Sequence, residues 1–212
     1  MKNYKTIIAA VVAGVALTAV TSQATITVIA QPNAEVAPAT YGANILATLV
    51  SPYAGVAPFS GTFTSWVIAA GADPIATANG FTGLTFVFQA SSTAGVIESI
   101  SVNGFFGNIG ATYVPVNAVH PIAGTGVTQS AAGVVKVNWP APDGYNGAGD
   151  YVYIYTQARG FTTVFESVQD GSSDTPKGLA PVPEPSTVVA GALMLLPFGI
   201  GAIRSLRKDR TA

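Results

Sequence analysis

The stretch Gly83-Leu84-Thr85-Phe86-Val87-Phe88-Gln89 decides the fold class of this chain. Every second residue from Leu84 to Phe88 is large and apolar. An alternation with a period of two is typical of a β-strand that turns one face towards a core. Thr, Val and Phe are also common in strands, because their side chains pack well on a pleated surface. The stretch therefore predicts a strand with an apolar face.

Similar short runs lie on both sides of this stretch, separated by Gly, Pro and Asn-Gly turn signals. They cover residues 25–30, 44–50, 61–70, 96–102, 134–139, 151–156 and 161–168. No segment between residues 25 and 181 has a convincing helical period. About six to nine short strands at this spacing predict an all-β protein with a single antiparallel β-sandwich domain, and a small barrel is the alternative.

Within the run 61–70, Trp66 and Ile68 fall on one face and Phe63 and Val67 on the other. This pattern predicts a strand that is buried on both sides. At the other end of the domain, the turn signal Asp170-Gly171 leads into residues 172–178, which are rich in Ser, Pro and Gly. We expect this part to be a linker that ends the exported domain, residues 25–181.

The N-terminal residues 1–24 have the layout of a secretory signal peptide. Lys2 and Lys5 precede an apolar run, residues 6–20, and Ser22-Gln23-Ala24 forms a small-residue cleavage site. We expect signal peptidase to cut after Ala24, so that Thr25 becomes the first mature residue. The apolar run has fifteen residues, which is short for a permanent membrane span.

The C-terminal residues 182–212 combine three features. Val182-Pro183-Glu184-Pro185-Ser186 is a Pro-rich polar break, and residues 187–203 follow without a charge. Seventeen helical residues would be roughly 26 Å long, near the lower limit for a single transmembrane helix. A basic tail ends the run with Arg204, Arg207, Lys208 and Arg210. Basic residues next to a span favour the cytoplasmic side, which places the preceding chain outside.

This order of Pro-Glu-Pro, short span and basic end resembles the PEP-CTERM sorting signal of Gram-negative bacterial surface proteins. The resemblance covers about residues 182–210. It implies recognition by an exosortase, a membrane-embedded cysteine protease that removes the helix and passes the protein to the envelope or matrix. It also implies only transient membrane anchoring. The strand-rich stretches upstream loosely resemble the β-domain often found before this signal, which implies a fold but no activity. A plain tail anchor or a buried apolar helix is the alternative for residues 187–203.

Charge and cysteine content exclude several functions. Residues 25–181 carry eight acidic residues but only three basic ones, Lys136, Arg159 and Lys177. Nucleic-acid binding depends on basic side chains that neutralise phosphates, so we expect no nucleic-acid partner. The chain contains no cysteine, which excludes disulfides and thiolate metal sites. We expect no cofactor.

Catalytic groups are scarce. His120 is the only histidine, and one histidine cannot form the usual zinc site. It lies before a proline in a predicted loop, and no Gly-x-Ser-x-Gly motif accompanies it. Nucleophilic catalysis is therefore disfavoured as well. Glu98 and Glu166 lie in predicted strands and are the only pair we consider for glycoside hydrolysis, which needs two carboxyl groups. A solvent-facing strand position is the simpler explanation for each of them. We therefore expect a protein that is not an enzyme.

Two further groups could bind a ligand. The loop residues Asp143, Asn146 and Asp150 offer oxygen ligands to calcium, although the spacing is not that of an EF-hand and turn formation also explains these residues. Aromatic candidates for stacking on sugars come from two strands; they are Tyr151, Tyr153, Tyr155 and Trp139. The three tyrosines share one face, and successive ones lie about 6.8 Å apart along the strand. If that face is exposed it could bind carbohydrate, and if it is buried the rings are core residues.

Taken together, these features predict a secreted, non-enzymatic protein of structural or adhesive role at the cell surface or in the extracellular matrix. A carbohydrate-binding module for extracellular polysaccharide is the first alternative, and a glycoside hydrolase is the second.

Overall fold

The computed structural model of the chain describes residues 26–29, 36–56, 58–114, 126–139 and 146–182. The predicted signal peptide and the predicted C-terminal helix lie outside these ranges. The described strands are β1 Ile26–Val28, β2 Ile45–Ala54, β3 Ser60–Ile68, β4 Thr85–Ala94, β5 Ser99–Val102, β6 Ile109–Val114, β7 Val127–Gln129, β8 Val135–Asn138, β9 Tyr151–Tyr155, β10 Phe161–Phe165, β11 Ser167–Asp170, β12 Ser172–Asp174 and β13 Lys177–Pro181. Two short helices accompany them, a 3₁₀ helix at Pro38–Asn44 and α1 at Pro74–Ala78. Within the described part of the chain, no helix is both long and apolar enough to cross a membrane.

The largest sheet has six strands in the order β1-β6-β9-β4-β3-β2. All neighbours in it are antiparallel except β1 and β6, which pair in parallel from Ile26 opposite Ile109 to Val28 opposite Ala111. The expected purely antiparallel architecture is therefore wrong in this one respect, and the sheet is mixed. A long connection separates β1 from its partner, so no hairpin turn constrains the direction in which the two strands meet.

A second sheet has five antiparallel strands in the order β12-β11-β5-β8-β7. Beside it, β10 and β13 form an antiparallel two-stranded unit, which we call the C-terminal ribbon. The residues that share the main core come from both sheets and from the ribbon. They include Phe63, Val67, Phe86, Phe88, Val152 and Ile154 of the large sheet, Ile100, Val102, Val135, Val137 and Val168 of the second sheet, and Leu179 and Ala180 of β13. The predicted face of Leu84, Phe86 and Phe88 is thus confirmed as part of the core of a sandwich-like β-fold.

The opposite face of the six-stranded sheet carries a smaller core. It consists of Ile68, Ile75, Ala76, Phe81, Val87, Tyr153 and Tyr155. Helix α1 supplies Ile75 and Ala76, and its N-cap is Asp73, whose side chain accepts hydrogen bonds from the amides of Ile75 and Ala76 at 2.9 and 3.1 Å. Such a cap satisfies donors that the first helical turn leaves free. The sheet is therefore buried on both faces where α1 covers it, which includes Ile68 of β3. The prediction that β3 is buried on both sides holds only at this end, because Thr62 is exposed and Trp66 is half-buried on the same face.

The segment predicted as a linker, residues 172–178, is folded. Asp170-Gly171 closes a hairpin, with Asp170 opposite Ser172, and the chain continues into β12 and β13. Leu179 and Ala180 are buried in the main core. Two serine hydroxyls of the large sheet hold the strand from its other side, because Ser65 accepts from the amide of Leu179 and Ser51 from that of Lys177, both at 3.1 Å. The linker expectation is wrong because polar composition does not reveal these long-range contacts.

Two strand boundaries also differ from expectation. β4 continues beyond the predicted stretch, through Ser91, Ser92 and Thr93, and the chain turns only at Gly95, which has φ +80°. Residues 161–168, predicted as a single last strand, form β10 and β11 with a break at Glu166. Pro52 lies inside β2; proline is tolerated there because β2 is at the edge of the sheet and needs no hydrogen-bond donor on its open side.

Candidate functional site

Few of the residues predicted to act in sorting and processing lie where the structure describes them. The signal-cleavage residues Ser22, Ala24 and Thr25, the motif residues Pro183 to Ser186 and the basic tail all fall outside the described ranges. Val182 is the one motif residue within them. It follows β13 directly, its side chain is 40% exposed, and its amide donates to the carbonyl of Gly160 at 3.0 Å. The motif therefore begins at the end of a core strand, with no spacer before it.

The three tyrosines of β9 do not form an exposed row. Tyr153 and Tyr155 are fully buried in the smaller core. The hydroxyl of Tyr153 donates to the carbonyl of Val36, and the ring of Tyr155 lies 6.0 Å from that of Phe81. Both rings are packing residues, because α1 and the chain next to it cover this part of the sheet. The sugar-stacking hypothesis for Tyr153 and Tyr155 is therefore wrong, and the core alternative holds.

Trp139 is not available as a binding residue either. Its side chain is only 4% exposed and belongs to the main core. Its amide donates to the carbonyl of Glu98 at 2.8 Å, which continues the pairing of β8 with β5. Val135, Val137 and Trp139 alternate along one face of this segment, and that face is the core.

Tyr151 remains half-buried at the end of β9. Its ring meets the ring of Trp66 edge to face, with centroids 5.7 Å apart and planes at 74°. Edge-to-face pairs of this kind are favoured by the quadrupoles of the two rings. Trp66 was placed by sequence on the same face as Ile68 but was not considered as a ligand residue. Its partnership with Tyr151 depends on the pairing order of β3, β4 and β9, which local sequence does not specify.

These two rings lie on a wider surface, which we call the outer face. Pairing places Thr48 opposite Trp66 and Val50 opposite Thr64. The outer face consists of Leu46, Thr48 and Val50 of β2, Thr62, Thr64 and Trp66 of β3, Gln89 of β4 and Tyr151 of β9. Two of its apolar members are well exposed, Leu46 at 53% and Val50 at 59%. The amide of Gln89 is fixed by donating to the carbonyl of Gly149 at 2.8 Å.

The outer face is electrically neutral. None of the six strands of the large sheet contains an Asp, Glu, Lys or Arg residue. Solvent-facing strand positions are usually polar, and isolated exposed apolar residues are ordinary. Here the exposed side chains of Leu46 and Val50 lie on either side of Thr48 on one strand. The surface therefore offers apolar area and hydroxyl groups without a charged side chain from these strands. It suits a neutral partner better than a phosphate-bearing or strongly charged one.

The two carboxyl groups considered for glycoside hydrolysis are not brought together. In the pairing of β5 with β11, Ser99 lies opposite Gln169 and Ser101 opposite Ser167. Glu98 thus lies beside the Asp170 end of β11, whereas Glu166 lies at the other end. Four residues, or about 13 Å along the strand, separate the two positions. Glycosidases hold their carboxyl groups about 5 to 10 Å apart. Glu98 is exposed and Glu166 is buried, so the two also face different environments.

Glu166 itself lies where the chain leaves the C-terminal ribbon for the second sheet. Its side chain is 1% exposed. The Oε2 atom accepts a hydrogen bond from the Asn103 amide at 2.6 Å and another from Asn103 Nδ2 at 3.3 Å. Oε1 has no hydrogen-bond partner within the described ranges. Burial raises the pKa of Glu166 to about 8, although the two bonds from Asn103 act in the opposite direction.

The proposed calcium ligands do not assemble within the part of the chain that is described. Asp143 lies outside it, Asn146 is exposed and Asp150 is 5% exposed. No group of three or more acidic or histidine side chains that could hold a metal ion occurs among the described residues. His120 also lies outside them.

Comparison of the chain with protein-family models, with curated proteins and with solved structures gives no match.

Proposed function

We propose that this chain is an exported, non-enzymatic adhesive protein that acts at the cell surface or in the extracellular matrix. Signal peptidase would remove residues 1–24. The C-terminal helix would anchor the protein in the membrane until an exosortase-type protease recognises Val182 to Ser186. This part of the proposal rests on the sequence patterns at both ends of the chain, which are independent of each other.

The observation that carries the adhesive role is the neutral outer face. Adhesion to a charged partner would use charged side chains, and none is present in the strands that form this surface. Leu46 and Val50 offer exposed apolar area, and the threonines between and beside them offer hydroxyl groups. A sheet surface of this chemistry favours partners that are uncharged and present both apolar and hydroxyl-bearing sides.

A neutral extracellular polysaccharide has this chemistry, because a sugar ring has an apolar face and a hydroxyl-lined edge. The edge-to-face pair of Trp66 and Tyr151 supports it as the partner, since indole and phenol rings can stack on a sugar while their polar atoms bind its hydroxyls. Thr64 adds a hydroxyl, and Val50 lies directly beside it. Carbohydrate binding is therefore our proposal for the mode of adhesion.

Retention of the protein on polysaccharide from the producing organism tests the proposed carbohydrate binding. Trp66→Ala and Tyr151→Ala should each reduce the retained fraction of the protein. Phe106→Ala is the matched control, because Phe106 is an exposed aromatic residue, 55% accessible, that belongs to no strand of the large sheet. Equal retention of all four proteins, with unchanged unfolding curves, would refute binding through the outer face.

Cell fractionation tests sorting separately. Glu184→Ala alters the one charge between Pro183 and Pro185, so export should continue while uncleaved protein accumulates in the membrane fraction. Replacing Arg204, Arg207 and Lys208 together should impair membrane retention before processing. If both variants reach the surface in mature form at the wild-type rate, exosortase-type processing is excluded and the tail is only an anchor.

A further inference from the structure

The C-terminal ribbon has one open side. β10 pairs with β13 along one edge, and among the described strands nothing pairs with its other edge. The neighbouring strand β5 pairs with β11 as far as Ser101 opposite Ser167. The chain then leaves at Asn103, whose side chain donates to the carbonyl of Phe165 at 2.6 Å. Beyond this bond, the edge at Phe161 and Thr163 is open.

The backbone bonds around the ribbon identify which groups of β10 point outwards. The amide of Glu166 donates to the carbonyl of Pro176, and the amide of Val182 donates to the carbonyl of Gly160. In the C-terminal ribbon, the pairs of even-numbered residues are therefore the hydrogen-bonded pairs. The amides of Lys177 and Leu179 donate instead to Ser51 and Ser65. Since hydrogen-bonded and non-hydrogen-bonded pairs alternate in antiparallel strands, Thr162 and Val164 bond to β13. Phe161, Thr163 and Phe165 therefore direct their amide and carbonyl groups to the open side.

β10 lacks the features that usually prevent an open edge from pairing. Its sequence Phe161-Thr162-Thr163-Val164-Phe165 has high β-propensity and contains neither a charge nor a proline. Both phenylalanines are exposed, Phe161 at 36% and Phe165 at 63%. By the alternation described above, the amide of Thr163 points away from β13.

The other edges are protected. At the margins of the two sheets, β1, β7 and β12 have only three residues each. The remaining edge strand, β2, contains Pro52, and the carboxylate of Asp174 accepts from the amide of Ala54 at 2.6 Å. Short strands, prolines and edge charges are the devices by which proteins avoid association through sheet edges. The contrast marks β10 as the edge that is left available.

We propose that β10 pairs with β10 of a second copy of this chain, antiparallel and centred on Thr163. The strand is complementary to itself in this arrangement. Thr162 of each copy comes opposite Val164 of the other, and the two Thr163 residues exchange backbone hydrogen bonds across a two-fold axis. At each end of the pairing, Phe161 comes opposite Phe165 and takes the place of the Asn103 side chain that bonds to the Phe165 carbonyl. Aromatic pairs opposite one another stabilise such strand pairing. The dimer joins two C-terminal ribbons. This proposal is separate from adhesion by the outer face and does not depend on it.

A single cysteine tests both the dimer and its register, because the natural chain has none. In the proposed pairing the two Thr163 Cα atoms lie about 5.5 Å apart, within the range of a disulfide. Thr162 is also exposed, but its two copies would be roughly 8 Å apart and could not be bridged. The full chain carrying Thr163→Cys should therefore give about tenfold more disulfide-linked dimer under mild oxidation than Thr162→Cys.

The result that overturns the proposal is equal cross-linking of the two variants, or none in either. A second pair of variants tests the edge without a covalent bond. Thr163→Lys places like charges opposite each other at the two-fold axis, so the full chain in one mild detergent should lose concentration-dependent dimerisation measured by light scattering. Thr162→Lys puts the same charge on the opposite face and should retain it. A wild-type chain that remains monomeric at all concentrations would also refute self-pairing.

Discussion

The Oε2 atom of Glu166 accepts a 2.6 Å hydrogen bond from the backbone amide of Asn103, and this bond joins the exit of β5 to the junction of β10 and β11. Oε1, which has no partner within the described part of the chain, is free to carry the proton. A neutral Glu166 can thus accept from Asn103 with one oxygen and hold its proton on the other.

The free energy of unfolding should depend on pH because of the carboxyl group of Glu166. Burial raises its pKa from the usual 4.5 to about 8, so between these values the folded chain holds a proton that the unfolded chain has released. The free energy of unfolding should consequently fall as the pH rises from 4.5 to 8, by roughly 5 kcal/mol at most, and be unaffected by this group outside that window. Glu166→Gln should abolish this decline in urea unfolding measured at several pH values.

The matched control for that experiment is Glu98→Gln, which changes an exposed carboxyl group near the other end of β11. It should leave the decline between pH 4.5 and 8 in place. If Glu166→Gln and the wild-type chain lose stability in parallel over this range, the side chain is not buried as described.

Gly178 should tolerate no side chain. A Cβ atom there would lie 2.5 Å from Cγ of Glu166 and 3.0 Å from Cε1 of Phe63, closer than van der Waals contact allows. We expect Gly178→Ala to lower the free energy of unfolding by about 1 to 3 kcal/mol, as overpacking in a core does. Gly160→Ala, where the nearest atom would be 3.8 Å away, should change it little. Equal effects of the two substitutions in chemical denaturation would contradict the close packing of β13.

Ser65 and Ser51 allow a comparison of the same hydrogen bond in two environments. Both hydroxyl groups accept from an amide of β13 at 3.1 Å, but the Ser65 bond is buried and the Ser51 bond is exposed. Ser65→Ala would leave the amide of Leu179 buried without an acceptor, which costs about 1 to 3 kcal/mol. Ser51→Ala leaves an amide that water can reach and should cost well under 1 kcal/mol. Urea unfolding of the two variants measures the difference, which should vanish if β13 is not docked.

Helix α1 should depend on its cap. Asp73 accepts from two amides of the first turn, and replacing a capping residue by alanine costs about 1 kcal/mol. Asp73→Ala should destabilise the chain by this amount and speed hydrogen exchange over residues 75–79. Asp73→Asn, which keeps a capping oxygen, should restore most of the loss. Similar exchange in Asp73→Ala and the wild-type chain would show that the cap is not formed.

Sequence predicted the strands that have a clear period and the orientation of their side chains. Leu84, Phe86 and Phe88 face the core as expected, because alternation is a local property of the backbone. β6 was missed, since Gly110 and Ala111 carry too little side chain to make a pattern. Gly110 is small for a reason that only the tertiary structure reveals: a Cβ atom there would lie 2.6 Å from the ring of Phe81.

The candidate binding residues were less predictable. Sequence correctly placed Tyr151, Tyr153 and Tyr155 on one face, but it could not say which of them α1 and neighbouring chain would cover. The position of that cover depends on the pairing of β9 with β4, in which Tyr153 lies opposite Val87. For the same reason, Trp66 could not be recognised as the neighbour of Tyr151. Burial and neighbourhood in a sheet follow from the order of its strands, which is a non-local property.

The docking of β13 has a consequence for the order of events during synthesis. Leu179 and Ala180 come late in the chain, yet they complete the core that Phe63 and Phe88 begin. A chain that grows from its N-terminus therefore cannot close this core until residue 181 has emerged, however early its other strands form. Folding must finish after nearly the whole domain has been made, so a completely folded domain implies that the residues next to the predicted sorting motif have been synthesised.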